Sequence, residues 1–599
     1  MEGRLLAMMG VFMLCLLIIV IHLLYLSIAK NSDYNIKSLA RQSYTNQEVS
    51  YRRGDILDTN GNTLATSKRL YNVILEPKNI IGERKKANQK TQNEKLVRSA
   101  LKKYLNLTEE KIEEILKNKS SYYYPLMGNV PESEIESFLD YLDTDEGKRL
   151  QGIRIDEFYK RVYPGNTLAC HAIGFVGDEQ KGVGGLEQYY NSTLTGINGR
   201  RYTYLNENME YDTVIENAQD GKSIVSTLDV KIQKITEKYL NRFQKKYGSK
   251  NTSVLVMNPN NGEVLGMANS KTYDLENPAS KKNLEKYYSK SEISKMTNKE
   301  YSEALSSIWS NYTVSTTYEP GSTFKPFTVA MGLENGNLTG DEYFTCDGGK
   351  AFGNSYIRCS HVHGTIPLSD TIALSCNDAM MQIGESLTSS VFYKYQKAFG
   401  FGSKTGIDLP GEASASNVLH GEDMEPIDVA TSSFGQSFQC TMIQLASAFC
   451  SLVNGGYYYE PHMVKQILDS DGSVEQNISK KLVKKTVSEE TSEKLKSYML
   501  DTVEKGTAKI AKIKQYDIGG KTGTAEKYPR GTDKRLVSFI GFAPEDDPQL
   551  VVYVTIDEIQ TGSQSNTSLA VGMTRDILKD SLKYLGVQTN AQKAKDNQN

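Results

Sequence analysis

Ser322 stands three residues ahead of Lys325 in Tyr318-Glu319-Pro320-Gly321-Ser322-Thr323-Phe324-Lys325-Pro326-Phe327. Pro320 and Gly321 are turn residues, and the apolar spacing of Phe324, Phe327 and Met331 predicts a buried helix that begins near Ser322. Positions three apart share a helix face, so the Lys325 amine can reach the Ser322 hydroxyl. Burial would strip that amine of water, lower its pKa and leave a base beside a serine nucleophile. Alone, the pair is a weak signal and reads more simply as a capping serine and a solvated lysine. Two short motifs follow in chain order: Ser375-x-Asn377, and Lys521-Thr522-Gly523-Thr524 behind Gly519-Gly520. Each is common by itself, and their order and wide spacing make them informative.

A second constellation suits a metal. Cys346, Cys359, His361, His363 and Cys376 lie close together in a chain with seven Cys and six His. Zinc accepts such a mixed set, with Cys359, His361 and Cys376 the first choice and Cys346, Asp370 or His363 the fourth ligand. The competing reading is that buried thiols are small apolar core residues. Cysteine spacing gives no disulfide framework. Free thiols outside a membrane fit a reducing setting or metal binding.

These residues need a scaffold, and 599 residues exceed a single core, so two to four domains are expected. A formal net charge of -2 argues against nucleic acid as a partner. The uncharged run from Leu5 to Ala29 is long enough for a retained single-pass anchor, with the rest of the chain extracytoplasmic. A polar stalk follows from residue 31. Asn60-Gly61 marks a hairpin that opens a β-rich pedestal, and residues 85–150 read as an exposed, mostly helical lobe. Gly182 to Gly185 lacks the Lys-Ser/Thr ending of a phosphate-binding loop. Asp229 caps a helix over 230–243, and Asn261-Gly262 turns a hairpin between Val254–Met257 and Val264–Met267. Residues 270–308 read as a mobile loop over the site, and a helix from Leu368 is expected to carry Ser375-Cys376-Asn377. The expected domains are an anchor at 1–30, stalk and pedestal at 31–225, a catalytic domain at 226–587 and a disordered tail at 588–599.

The three motifs together resemble those of the penicillin-recognising serine acyltransferases. Arg53-Gly54, Asp58-x-Asn60-Gly61-x-x-Leu64-Ala65, Arg161-x-Tyr163-Pro164, Gly185-Leu186-Glu187, Thr227-Leu228-Asp229 and Gly506-Thr507-Ala508 narrow the resemblance to class B penicillin-binding proteins. Two departures are Asn258, where the family commonly has Asp, and Gly435-Gln436-Ser437, where Gly-Gln-Gly is usual.

The resemblance implies an α+β multidomain protein: a transmembrane helix, a β-rich pedestal with a helical lobe, and a C-terminal α/β transpeptidase domain of antiparallel sheet flanked by helices. Ser322 would be the nucleophile and Lys325 its base; Ser375 would relay a proton, and Asn377 would hold the donor backbone. Lys521 would supply positive potential, while Thr522, Gly523 and Thr524 would bind the carboxylate of a D-alanyl-D-alanine stem peptide. No cofactor is required for catalysis; structural zinc is the one metal expected. Implied partners are peptidoglycan stem peptides on lipid II-derived glycan, β-lactams, the membrane and a SEDS-type glycosyltransferase. The alternatives are a class D-like β-lactamase or β-lactam sensor, and a non-catalytic scaffold. A pedestal of about 200 residues has no use in a compact hydrolase.

Overall fold

A computed structural model describes residues 2–28, 45–82, 91–205, 211–413 and 419–596. Glu2–Ile28 is one helix, and its Met8–Tyr25 stretch has a mean hydropathy of 2.6, long and apolar enough to cross a membrane. The remaining chain forms two compact units. The smaller comprises residues 1–54, 67–160 and 195–221; the larger comprises 55–66, 161–194 and 222–599.

In the smaller unit, Thr45–Val49, Gly199–Leu205 and Tyr211–Glu216 make an antiparallel sheet. Helices Gln92–Leu105, Glu109–Leu116 and Glu132–Asp143 bury Val97, Leu101, Ile112 and Phe138. Each of the first two helices is capped by a threonine, Thr91 or Thr108, whose hydroxyl accepts a backbone N–H three residues on. Arg98 is buried among Glu94, Glu109 and Glu113 at 2.7–2.9 Å, a network that fixes the register of the first two helices. The lobe is not purely helical: Tyr124–Pro131 is a strand, where Pro125 and Pro131 disfavour helix.

The larger unit is built on a five-stranded antiparallel sheet ordered Val264–Asn269, Ser249–Met257, Leu550–Ile559, Arg535–Ala543, Gly519–Glu526. Alternation decides its two cores. Val254, Val256, Val552 and Val554 pack under helices Val230–Lys246 and Ser568–Tyr584. Leu255, Met257 and Tyr553 face a larger core with Phe324, Phe327 and the buried helix Met442–Val453. Asp229 caps its helix by accepting from the N–H groups of Lys231 and Ile232. Asn258 turns its hairpin as an aspartate would, its side-chain oxygen accepting from Asn260 N.

Two expectations are corrected. Residues 270–308 are not an open loop but carry helices Lys281–Leu284, Lys290–Lys295 and Asn298–Trp309, anchored by buried Leu284 and Ile308. Ser289 and Thr297 form capping boxes that start the last two; polar composition concealed these caps. The tail is helical over Asn590–Asp596, held by Lys593 on Asp546 and Asn590 on Asp517. Residues 206–210 and 414–418 and most of the polar stalk lie outside the described residues.

Candidate active site

The nucleophile segment begins as a 3-10 turn, Gly321–Phe324, and becomes helical at Lys325–Glu334. The turn is wedged between two backbones. Gly321, at φ +59°, has Thr524 O 2.6 Å from where a Cβ would stand, and a Cβ on Gly435 would fall 2.0 Å from Gly321 O. Gly321 N donates to Gly435 O at 2.8 Å. Ser322 is half-buried and lies beside the Gly519–Glu526 strand, whose far edge pairs with Arg535–Ala543 and whose near edge is open.

Lys325 is fully buried. Its Nζ donates to Ser375 O at 2.6 Å, Ser375 Oγ at 3.0 Å and Asn377 Oδ1 at 2.7 Å. The first two serine motifs thus meet at one ammonium. Burial lowers the Lys325 pKa to about 8, against smaller opposing contributions from Cys359, Cys376 and Cys346. Ser322 Oγ makes no hydrogen bond among the described residues; such contacts commonly tighten only when substrate arrives.

Ser375 does not ride a continuous helix, as expected. Leu368–Ala373 ends before it, Ser375 takes a left-handed φ of 59°, and a new helix starts at Asn377. The break presents Ser375 O, Ser375 Oγ and Asn377 Oδ1 together, which a helix with its carbonyls engaged could not do.

Lys521 is also fully buried, and its Nζ donates to Thr522 O and Oγ1 at 3.2 and 3.3 Å. Burial, then the neighbouring Lys325 ammonium, drives its pKa well below the usual lysine value. Thr522 Oγ1 also meets Thr507 Oγ1 at 3.1 Å, and Thr507 N donates to Ala373 O. Gly523 has no room for a side chain: a Cβ would lie 2.3 Å from Ser538 Oγ and 2.9 Å from Thr323 Cγ2.

The contacts of Glu319 escaped sequence reasoning. Arg530 Nη2 donates to both carboxylate oxygens of Glu319 at 2.9 Å, and Glu319 also accepts from Ser437 N at 3.0 Å. This ties the nucleophile turn to the segment following the Lys-Thr-Gly strand. The signal was Glu319 inside the nucleophile motif, but its partner is 211 positions away. Ser437, the departure seen in the sequence, adopts φ 63° where the family has glycine, supported by Thr431 Oγ1 donating to its hydroxyl at 2.9 Å.

Beside Ser375 sits a thiol cluster. Cys346, Cys359, His363 and Cys376 offer ligand atoms that all lie within 4.8 Å of one another. The expected His361 is not among them; its backbone carbonyl accepts from Cys346 Sγ, while the His363 ring turns inward. Asp370 is engaged elsewhere, 2.8 Å from Lys505. Cys359 Sγ and Cys376 Sγ are in hydrogen-bond contact at 3.8 Å, and Asn377 N donates to Cys359 Sγ at 3.2 Å. These bonds lower the Cys359 pKa and raise that of Cys376.

Comparison with known proteins gives two family matches: "Penicillin binding protein transpeptidase domain" over residues 252–579 and "Penicillin-binding Protein dimerisation domain" over 48–226. Stage V sporulation protein D of Bacillus subtilis is 34% identical over 576 residues, covering 92% of this chain and 81% of its own length. The probable peptidoglycan D,D-transpeptidase PenA of Neisseria gonorrhoeae is 26% identical, covering 90% of this chain and 86% of the relative. Among solved structures, penicillin binding protein 2X from Streptococcus thermophilus superimposes with a TM-score of 0.74 at 24% identity, covering 90% of this chain and 80% of that one.

Proposed function

The chain belongs to the class B penicillin-binding proteins, and we propose that it cross-links peptidoglycan by serine acyl transfer, with Ser322 as the nucleophile. The observation that carries this reading is the convergence of Lys325, Ser375 and Asn377 through three hydrogen bonds of 2.6–3.0 Å one helical turn from Ser322. With its pKa lowered to about 8, the Lys325 amine accepts the Ser322 proton at neutral pH far more readily than an exposed lysine.

The donor's terminal carboxylate binds the Thr522 and Thr524 hydroxyls beside Lys521. An arriving carboxylate raises the Lys521 pKa again and completes an ion pair. Ser322 Oγ attacks the penultimate D-alanyl carbonyl, whose oxygen collects negative charge between the N–H groups of Ser322 and Thr524. One such donor is typically worth about 3 kcal/mol of barrier. Ser375 passes the proton to the departing D-alanine, and Asn377 holds the donor backbone. The amine of a second stem peptide then takes the acyl group, giving an amide cross-link and free Ser322. β-Lactams enter by the same attack and remain as adducts. Labelled penicillin added to the full-length protein should leave one long-lived adduct per chain at Ser322, absent in Ser322→Ala. Rapid release of hydrolysed drug would instead mark a β-lactamase.

The helix Glu2–Ile28 supports a single-pass anchor with the catalytic unit outside the cytoplasm. The family is also consistent with a SEDS-type glycosyltransferase as the partner that supplies glycan strands.

The thiol cluster supports structural zinc held by Cys346, Cys359, His363 and Cys376. With Zn–S near 2.3 Å and Zn–N near 2.0 Å, a tetrahedral site has edges of about 3.8 Å between sulfurs and about 3.5 Å from sulfur to nitrogen. The separations are 3.8 Å for Cys359–Cys376, 3.7 Å for Cys359–His363 and 3.4 Å for Cys346–His363. Catalysis uses no electron or proton from this metal; its place is to pin the Ser375–Asn377 break through Cys376. Purified protein should hold about one zinc per chain, and Cys346→Ser should lose both zinc and melting temperature. A zinc content below about one tenth of an equivalent, with melting unchanged by chelator, would sink the metal site.

A further inference from the structure

At one end of the catalytic sheet lies a cavity of about 530 Å³ that the acyl-transfer steps leave unused. Ala525, the residue after Thr524, lines it, and Tyr318 and Glu319, just ahead of Ser322, form part of its wall. Across from them the ends of other strands contribute Lys250, Asn251, Asn269 and Asp557, and Lys271 follows close behind. The volume falls in the range that holds a small ligand or a few residues of peptide.

The charges on its wall are not evenly matched. Glu319 is neutralised by Arg530, Glu526 by Arg535 and Asp557 by Lys527. Lys250 pairs with Glu558 at 3.0 Å. Lys271 alone of the lining charges has no ion pair among the described residues. It is half-buried with Lys250 near enough to oppose its charge, and both burial and that neighbour lower its pKa. A half-buried ammonium beside a second one is an arrangement that an incoming anion relieves.

The direction of the donor peptide brings its anion here. With the terminal carboxylate at Thr522 and Thr524 and the scissile carbonyl at Thr524 N, the residues upstream of the scissile bond run toward Ala525 and Glu526. That heading enters the cavity within one or two residues, at about 3.3 Å each. Resting on the acyl-enzyme reading, we propose that the cavity receives a carboxylate carried upstream on the donor stem peptide, held by Lys271 with Lys250 beside it. The site would thus discriminate stem peptides by side-chain charge, a selectivity separate from recognition of the D-alanyl-D-alanine end.

The test uses the full-length protein in detergent and two D-alanyl-D-alanine donors that differ only in an upstream free carboxylate or its carboxamide. The wild type should favour the carboxylate donor by about tenfold in kcat/KM, the worth of one charge-assisted hydrogen bond. In Lys271→Gln that preference should fall to near unity. In Lys271→Glu it should invert in favour of a donor bearing an ammonium. Each figure is a ratio within one variant, so partial misfolding does not move it. A wild type that forms the penicillin adduct yet treats both donors alike overturns the cavity proposal only, as does a preference that survives in both variants. A wild type that neither penicillin nor either donor acylates overturns the acyl-enzyme reading and this proposal with it.

Discussion

Lys325 and Lys521 are two ammonium groups sealed from water within reach of each other's field, and neither has a carboxylate partner among the described residues. For Lys325 the groups facing it are Ser375, Asn377, the second lysine and the thiols of Cys346, Cys359 and Cys376. Burial is the largest influence and favours the neutral amine. The sign is fixed: a protonated amine accepts nothing, so the base is present above its folded pKa. Penicillin acylation of Ser322 should therefore rise about tenfold per pH unit below about 8 and level off above it. Lys325→Arg, which cannot shed its proton near neutrality, should lose at least about 10²-fold in acylation at every pH up to 10. A flat profile from pH 6 to 9 in wild type would remove Lys325 from the role of base.

At the scale of elements, the parts that place these residues were unequally legible. Hairpins turned by Asn60-Gly61 and Asn261-Gly262 and the helix capped by Asp229 announce themselves locally, because turn and cap chemistry need only three or four residues. The break at Ser375 was hidden, since nothing in Leu368–Asn377 forbids a continuous helix. What stops it is long-range: Lys325 claims Ser375 O, and Thr507 N claims Ala373 O. The choice between His361 and His363 failed similarly. Two residues apart, their rings stand edge to face with centroids 6.0 Å apart, and only the fold says which ring nitrogen reaches the thiols. Likewise, Glu319 was visible as a residue of the motif, but Arg530 as its partner was not. Arg530→Ala should leave the buried Glu319 without its cation and lower stability by about 1–3 kcal/mol, read as a lower melting temperature. Restoration by Arg530→Lys should be partial, because a single ammonium cannot hold Glu319 and the Glu526 carbonyl at once as the two guanidinium nitrogens do.

For the whole molecule, the family boundary and the physical one differ. The dimerisation match runs over residues 48–226, yet residues 55–66 and 161–194 belong to the larger compact unit. Ile56, Leu64, Leu186 and Ile224 share one buried core with Leu255 and Phe324. Arg161 and Glu187 form a buried pair at 2.7 Å within that unit. A fragment cut at residue 226 exposes those side chains' partners, forfeiting roughly 1.5–3 kcal/mol per large apolar residue. It should aggregate or melt far below a protein spanning residues 45–599, as read by calorimetry and gel filtration. Equal melting of the two would mean that the buried pedestal segments contribute little.

The glycines around the nucleophile bear on how this enzyme can respond to antibiotics. Gly321, Gly435 and Gly523 each bring backbone or side-chain atoms within 2.0–2.6 Å of where any Cβ would stand. On the proposed mechanism, a survivor of β-lactam selection must keep cross-linking while shunning a drug that uses the same serine and the same lysine. Nothing larger than hydrogen fits at these three positions, so the nucleophile turn offers no viable escape. Resistance must accumulate at the margins, in side chains such as Arg530 and Ser437 that hold Glu319 beside the serine turn without setting its chemistry.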